Sequence, residues 1–299
     1  MSSLQIVNDV INPVDIGILT DSPYDKIASN ELTSRLNKIN YKGHVEQLEY
    51  KGLYVHCLKK ILDKTRISPI THMLLAMVLE KFNNTKNKII TIYLEEYMLK
   101  RDLKDTQFAK KQIKDNLALL RAFTIEYQSK KEIRGKEIIC SIKGEGIIRN
   151  YEIKRNGTYI ITLENNFYKI LKNTPKFIYL PKIAYKIDPY REPYNWNLIT
   201  KIMEHKAMNA KKKNPDCISV KTLVDACPHI KLDTDHKKRN IIEPFERGLD
   251  YFKDLFHWYY KKRDNVQPVT SRDRTDYYRW MEMYIVFEWK DRKHDYLAV

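Results

Sequence analysis

Apolar residues recur along this chain at two periods, and the change from one to the other happens twice. From Pro69 the run PITHMLLAMVLEKF is apolar nearly all round, which predicts a buried helix with proline at its first position. KIITIY follows with the β-branched density of a short strand, and LEEYMLKRDL predicts a second, short helix. Asp105 or Thr106 can cap a third, in which Ala109, Ile113, Leu117 and Leu120 form one buried stripe. After Arg121 the period drops to two. FTIEY, EIICSI, IIRNYEI and TYIITL predict strands, with turns at Arg134-Gly135 and Asn156-Gly157.

The second half repeats this order. NWNLITKIMEHKAM predicts a helix, CISV a strand, KTLVDA a short helix and TDHKKRNIIEPFERGLDYFKDL a long one, kinked at Pro244. FHWYYKKR and YYRWMEMYIVFEW are aromatic and alternating, which predicts two strands around the polar DNVQPVTSRDR. Sliding the chain along itself until Ile90 meets Ile218 brings Asp105-Thr106 onto Asp233-Thr234, without a gap. Lys110-Lys111-Gln112-Ile113 then falls on Lys238-Arg239-Asn240-Ile241. The identities are few. Each matched block nevertheless has the same structural reading.

Helix, strand, helix, helix, β-hairpin is the order of a winged helix, whose third helix enters the DNA major groove while the hairpin touches the backbone. The predicted fold class is therefore α+β, with two tandem winged-helix domains at residues 53–171 and 194–299. Pro175, Pro181, Pro189 and Pro193 mark a linker over residues 172–193, and the poorly periodic residues 1–52 read as an N-terminal arm.

Charge changes the picture next. Lys and Arg number 54 against 38 Asp and Glu, a formal balance of +16, which favours a polyanionic partner once placed on a folded, tyrosine-rich chain. No basic n-region with an apolar core opens the sequence, and its most apolar run, MLLAMVL, is far short of a span, so no membrane partner and a cytoplasmic location are expected. Four cysteines without a CxxC pair make neither a disulfide framework nor a zinc signature, and no metal or other cofactor is expected.

On the outer side of the first third helix stand Gln107, Lys110, Lys111 and Lys114. On the second third helix they are Asp235, His236, Lys238 and Arg239. Such donors reach guanine, adenine and phosphate. A solvated polar face is the bland alternative for either helix alone; the same slot filled twice in a basic chain favours DNA. Predicted hairpin tips add Arg134, Lys136, Lys154 and Arg155 in the first half. Lys261, Lys262, Arg263, Arg272 and Arg274 do so in the second, all suited to phosphate.

With that doubled arrangement and its DT-type helix starts, the stretch from Tyr54 to Trp289 resembles the plasmid replication initiators built from tandem winged helices. The resemblance implies a sequence-specific double-stranded DNA-binding protein that binds repeated origin sites, or iterons. It also implies a monomer–dimer equilibrium with self-contact through the first unit, and repression of its own promoter. Lys238 and Arg239 would make the main base contacts, with Lys110 and Lys111 contributing from the first unit. The sequence itself predicts no enzyme: no GxxxxGK[ST] loop is present, so origin melting would fall to a host helicase or initiator. A transcriptional regulator of the same fold uses the same groove chemistry and stays open. A rolling-circle nicking initiator is less favoured, because it needs closely spaced histidines to hold a metal, and His56 and His72 lie apart.

Overall fold

The computed structural model describes residues 23–36, 47–50, 53–56, 67–133, 136–173, 177–209, 216–227, 234–263 and 268–290. Strand β1 (Tyr24–Ala28) and helix α1 (Glu31–Leu36) open the described chain, followed by β2 (Gln47–Tyr50) and β3 (Leu53–His56). The first winged helix then runs through α2 (Pro69–Thr85), β4 (Ile89–Tyr93), α3 (Leu94–Arg101) and α4 (Thr106–Ala122). Beyond it come β5 (Thr124–Ile133), β6 (Lys136–Glu145), β7 (Ile148–Ile153) and β8 (Thr158–Leu163).

Helix α2 has no polar stripe because it has no solvent face over most of its length: Met73, Leu74, Met77 and Val78 are all fully buried. Strands β4, β8 and β7 form an antiparallel sheet in that order, so the last strand of the hairpin is the central one. The hairpin turns at Gly157, whose φ of +79° a side chain would strain. A Cβ there would also sit 3.1 Å from the Cβ of Leu94, the first residue of α3. The Gly157 carbonyl accepts from the Leu94 N–H at 2.9 Å, tying hairpin to helix. The longer hairpin β5–β6 belongs to a separate sheet, in the order β2-β3-β5-β6.

The second unit uses α6 (Asn195–Asn209), β10 (Cys217–Ser219) and α7 (Val220–Asp225), then a π-helical turn (Lys238–Ile242) leading into α8 (Glu243–Asp250). Here α5 (Asn165–Asn173) and β9 (Phe177–Pro181) come before α6 in the chain. After α8 come β11 (Phe256–Lys261), α9 (Ser271–Thr275), α10 (Tyr277–Met281) and β12 (Tyr284–Trp289). Its sheet order, β10-β12-β11, is that of β4-β8-β7. Both halves are therefore winged helices, as the repeated pattern predicts.

Three expectations change. Residues 24–36 are not a free arm: β1 pairs antiparallel with β9, Tyr24 opposite Pro181 and Ala28 opposite Phe177, and Ile27, Leu32 and Leu36 are buried. By the same pairing, residues 177–187 are not an open linker. Pro181 closes a strand rather than breaking one, a 3-10 turn (Lys182–Lys186) follows, and Ala184, Tyr185 and Ile187 are fully buried. Arg101 anchors this segment, its guanidinium donating to the carbonyls of Tyr185 and, at 3.1 Å, Ile187. Lys100 beside it bridges Asp25 at 2.7 Å and Glu80, so α3, β1 and α2 meet in one buried ion cluster.

The third change concerns YYRWMEMYIVFEW, which is half helix. Asp276 accepts from the N–H groups of Tyr278 and Arg279, starting α10, and only Tyr284–Trp289 is strand. Tyr277, Tyr278 and Trp280 favour strands intrinsically, but a local cap and the burial of Trp280 against Phe245 override that preference.

A candidate DNA-binding surface on two winged helices

Asp105 sets the start of α4 by accepting from the N–H groups of Gln107 at 2.8 Å and Phe108 at 3.0 Å. Ala109, Ile113, Leu117 and Leu120 turn inward, fully buried or nearly so, which leaves Gln107, Lys110, Lys111 and Lys114 exposed on the opposite side. These four, singled out from sequence, share one face. Lys154 and Arg155 are exposed at the β7–β8 turn of the same unit. Arg134 lies outside the described residues. Lys136 is on β6, its side chain likewise outside what is described.

In the second unit the helix starts later than the repeated frame predicts. Asp105 caps α4 directly, but helical backbone here begins only at Lys237, and the side chain of Asn240 reaches back to the Thr234 hydroxyl at 2.8 Å. Asp233 lies outside the described residues. The matched pairs Lys110-Lys111 and Lys238-Arg239 therefore sit at different depths into their helices. Lys238 and Arg239 occupy the π turn, and both are exposed, as is His236.

Pro244 explains the wider turn. It has no N–H to give the carbonyl four residues back, and its ring crowds that carbonyl. A π turn, in which the Glu243 N–H reaches the Lys238 carbonyl, makes room without ending the helix. The predicted kink is thus a local widening.

Arg272 and Arg274 are not at a hairpin tip. They stand exposed on α9, a single turn fixed by a capping box in which the Thr270 N–H and hydroxyl donate to one Asp273 carboxylate oxygen at 2.9 and 2.7 Å. The same oxygen pairs with Lys262 at 2.9 Å, and the other faces Arg279 at 3.7 Å. Thr270 first, and then Lys262, hold the Asp273 carboxyl well below the usual carboxylate range. Lys262 is therefore partly committed to an internal pair. Lys261 is half-buried and Arg263 is exposed. Arg274 lies over the Tyr260 ring, 5.5 Å from its centroid.

Three groups on this surface escape the sequence reading. Lys237, at the start of the second unit's long helix, lies over Tyr277 at 4.6 Å and Tyr278 at 5.0 Å. Tyr278 is 72% exposed, and Arg279 beside it faces solvent. These contacts bring α10 and the start of the π-helical segment together, so the second unit presents two short helices where the first presents a plain hairpin. The capping box Thr270-Ser271-Arg272-Asp273 was the sequence signal for this. The third group is Phe108, which is half-exposed on α4.

A scan against protein-family models finds no match, and a search of curated proteins finds none. Among solved structures, the chain is similar to the Pi initiator protein in complex with iteron DNA: 14% identity over 81% of this chain and 100% of that one, TM-score 0.47. It is also similar to domains 2 and 3 of RctB, at 10% identity over 89% of this chain and 100% of that one, TM-score 0.47. A third is the WH1 domain of a replication protein isolated from a multiple sclerosis patient. That domain is 14% identical over 36% of this chain and 84% of its own, TM-score 0.25.

Chemically, the surface offers donors and cations on two helices, with further cations on one turn and two short helices. Among the described residues no three His, Cys, Asp or Glu side chains come together in a way that could hold a metal ion, and no helix is long and apolar enough to cross a membrane.

Proposed function

We propose that this chain is a sequence-specific double-stranded DNA-binding protein that initiates plasmid replication by occupying repeated origin sites, and that it represses its own gene. The observation that carries the reading is the doubled winged helix with exposed cations on the third helical segment of each half: Lys110 and Lys111 on α4, Lys238 and Arg239 on the π turn. A duplex carries a phosphate charge about every 1.7 Å of its axis, so a +16 chain gains affinity at any sequence by releasing counterions. Specificity then comes from the few side chains that reach base edges.

In this reading the chain binds and positions, and it has no catalytic step of its own. A host helicase or initiator supplies unwinding. Self-association runs through the first unit, where β6 ends the four-stranded sheet order. The test places tandem ~20 bp repeats from beside the gene on a plasmid without an origin. Maintenance of that plasmid only when the protein is supplied supports the reading. Tight binding to a single palindrome with no plasmid maintenance overturns it in favour of a transcriptional regulator.

A further inference from the structure

The outer face of α4 (Thr106–Ala122) carries one side chain that phosphate binding does not explain. Phe108 is 47% exposed in the first turn of that helix, beside the face that carries Gln107 and Lys111. Its own N–H is held by the Asp105 carboxylate at 3.0 Å, which fixes the backbone of the turn and with it the direction of the Phe108 Cα–Cβ bond. At about 100° per residue, Lys111 lies about 60° from Phe108 around the axis and Gln107 about 100°. The ring thus stands at the margin of a face whose other members are hydrogen-bond donors. Covering such a ring on binding would remove apolar surface from water, which is favourable.

The apolar feature that a major groove offers, between phosphates that lysines would hold, is the 5-methyl group of thymine. We propose that Phe108 reads thymine by packing its ring on that methyl, while Lys111 and Gln107 hold neighbouring phosphate or purine edges. This rests on the reading of α4 as a groove-entering helix. His236, which the repeated frame matches to Phe108, is polar and lies just before the helical backbone that begins at Lys237, so methyl reading belongs to the first unit's part of the site. A protein partner for Phe108 is the competing occupant, and the test separates the two.

A preferred duplex is selected from a random-sequence library, and each thymine is then replaced in turn by uracil, which removes only the methyl. Affinities are measured for the wild-type chain, Phe108→Ala and Phe108→Leu. In the half of the site protected by the first unit, one or two positions should bind about three- to tenfold more weakly with uracil in the wild type. Phe108→Ala should bind thymine and uracil alike at those positions, and Phe108→Leu should keep part of the preference. Because Phe108 is exposed, both variants should melt with the wild type. Uracil tolerated everywhere by the wild type, or a thymine preference unchanged in Phe108→Ala, overturns the inference and leaves DNA binding standing. Failure to enrich any duplex defeats the DNA-binding reading itself, and the inference with it.

Discussion

Replacing Gly248 by alanine sets two effects of opposite sign against each other. Gly248 lies within α8 (Glu243–Asp250), where alanine gains up to about 1 kcal/mol of helix propensity. A Cβ at this position, however, would sit 2.8 Å from Asn195 Oδ1 and 2.8 Å from Leu198 Cδ1, closer than such atoms tolerate. Neither neighbour can yield easily, since Asn195 is 2% exposed and Leu198 fully buried. Overpacking of this kind costs about 1–3 kcal/mol, so the substitution should lose about 1 kcal/mol net, a fall in Tm of about 2–4 °C. Thermal melting of Gly248→Ala, Leu198→Ala and the double variant measures this directly. The double variant should recover part of the alanine penalty, because the Leu198 methyl no longer opposes the new Cβ. A Gly248→Ala protein that melts above wild type, or a double variant that loses the full sum of the singles, would show that the close approach of α8 to α6 is not what requires glycine.

Three further outcomes are expected. Arg101→Met strips two buried carbonyls, those of Tyr185 and Ile187, of their donor and should cost about 2–4 kcal/mol in urea unfolding, whereas a loss below about 0.5 kcal/mol would mean the segment is anchored elsewhere. Asp273→Asn removes the charge that Thr270 and Lys262 favour. Because the folded carboxyl titrates below its unfolded value, the wild type should melt above the variant at neutral pH, and the gap should close only as pH falls below about 4 through the folded value; a gap unchanged at pH 2.5 would refute it. Lys110→Ala with Lys111→Ala removes two cations and, if both hold phosphate, lowers the salt slope by about 1.8, so the affinity lost at ~50 mM salt should exceed that lost at ~200 mM by about tenfold, while parallel salt slopes would assign these residues no phosphate.

The parts of the fold that could be read from sequence are those whose evidence is local. The stripe Ala109, Ile113, Leu117, Leu120 and the cap at Asp105 lie within one helix, and both appear where predicted. The pairing of β1 with β9 could not be read in this way. Five residues, YDKIA, carry no strand signal until their partner Phe177–Pro181 is known, and the whole of the first winged helix lies between the two. Aromatic density misled at Tyr277–Met281, where the cap at Asp276 prevails. In the second unit the repeated phrase placed Lys238 and Arg239 on the surface, where they are, but misplaced the start of their helix: helical backbone begins at Lys237, and Thr234 accepts from the side chain of Asn240. Lys237 and Tyr278 meet only through the folding of α10, which no periodicity encodes.

Methylation-protection footprinting of the selected duplex, with the wild type and the two double variants Lys110→Ala/Lys111→Ala and Lys238→Ala/Arg239→Ala, tests most directly whether both halves read one site. Two protected major-groove segments are expected, about one helical turn apart, near 10 bp or ~34 Å. Each double variant should weaken a different one. If both variants lose the same segment, or the wild type protects only one, the two winged helices do not read DNA together.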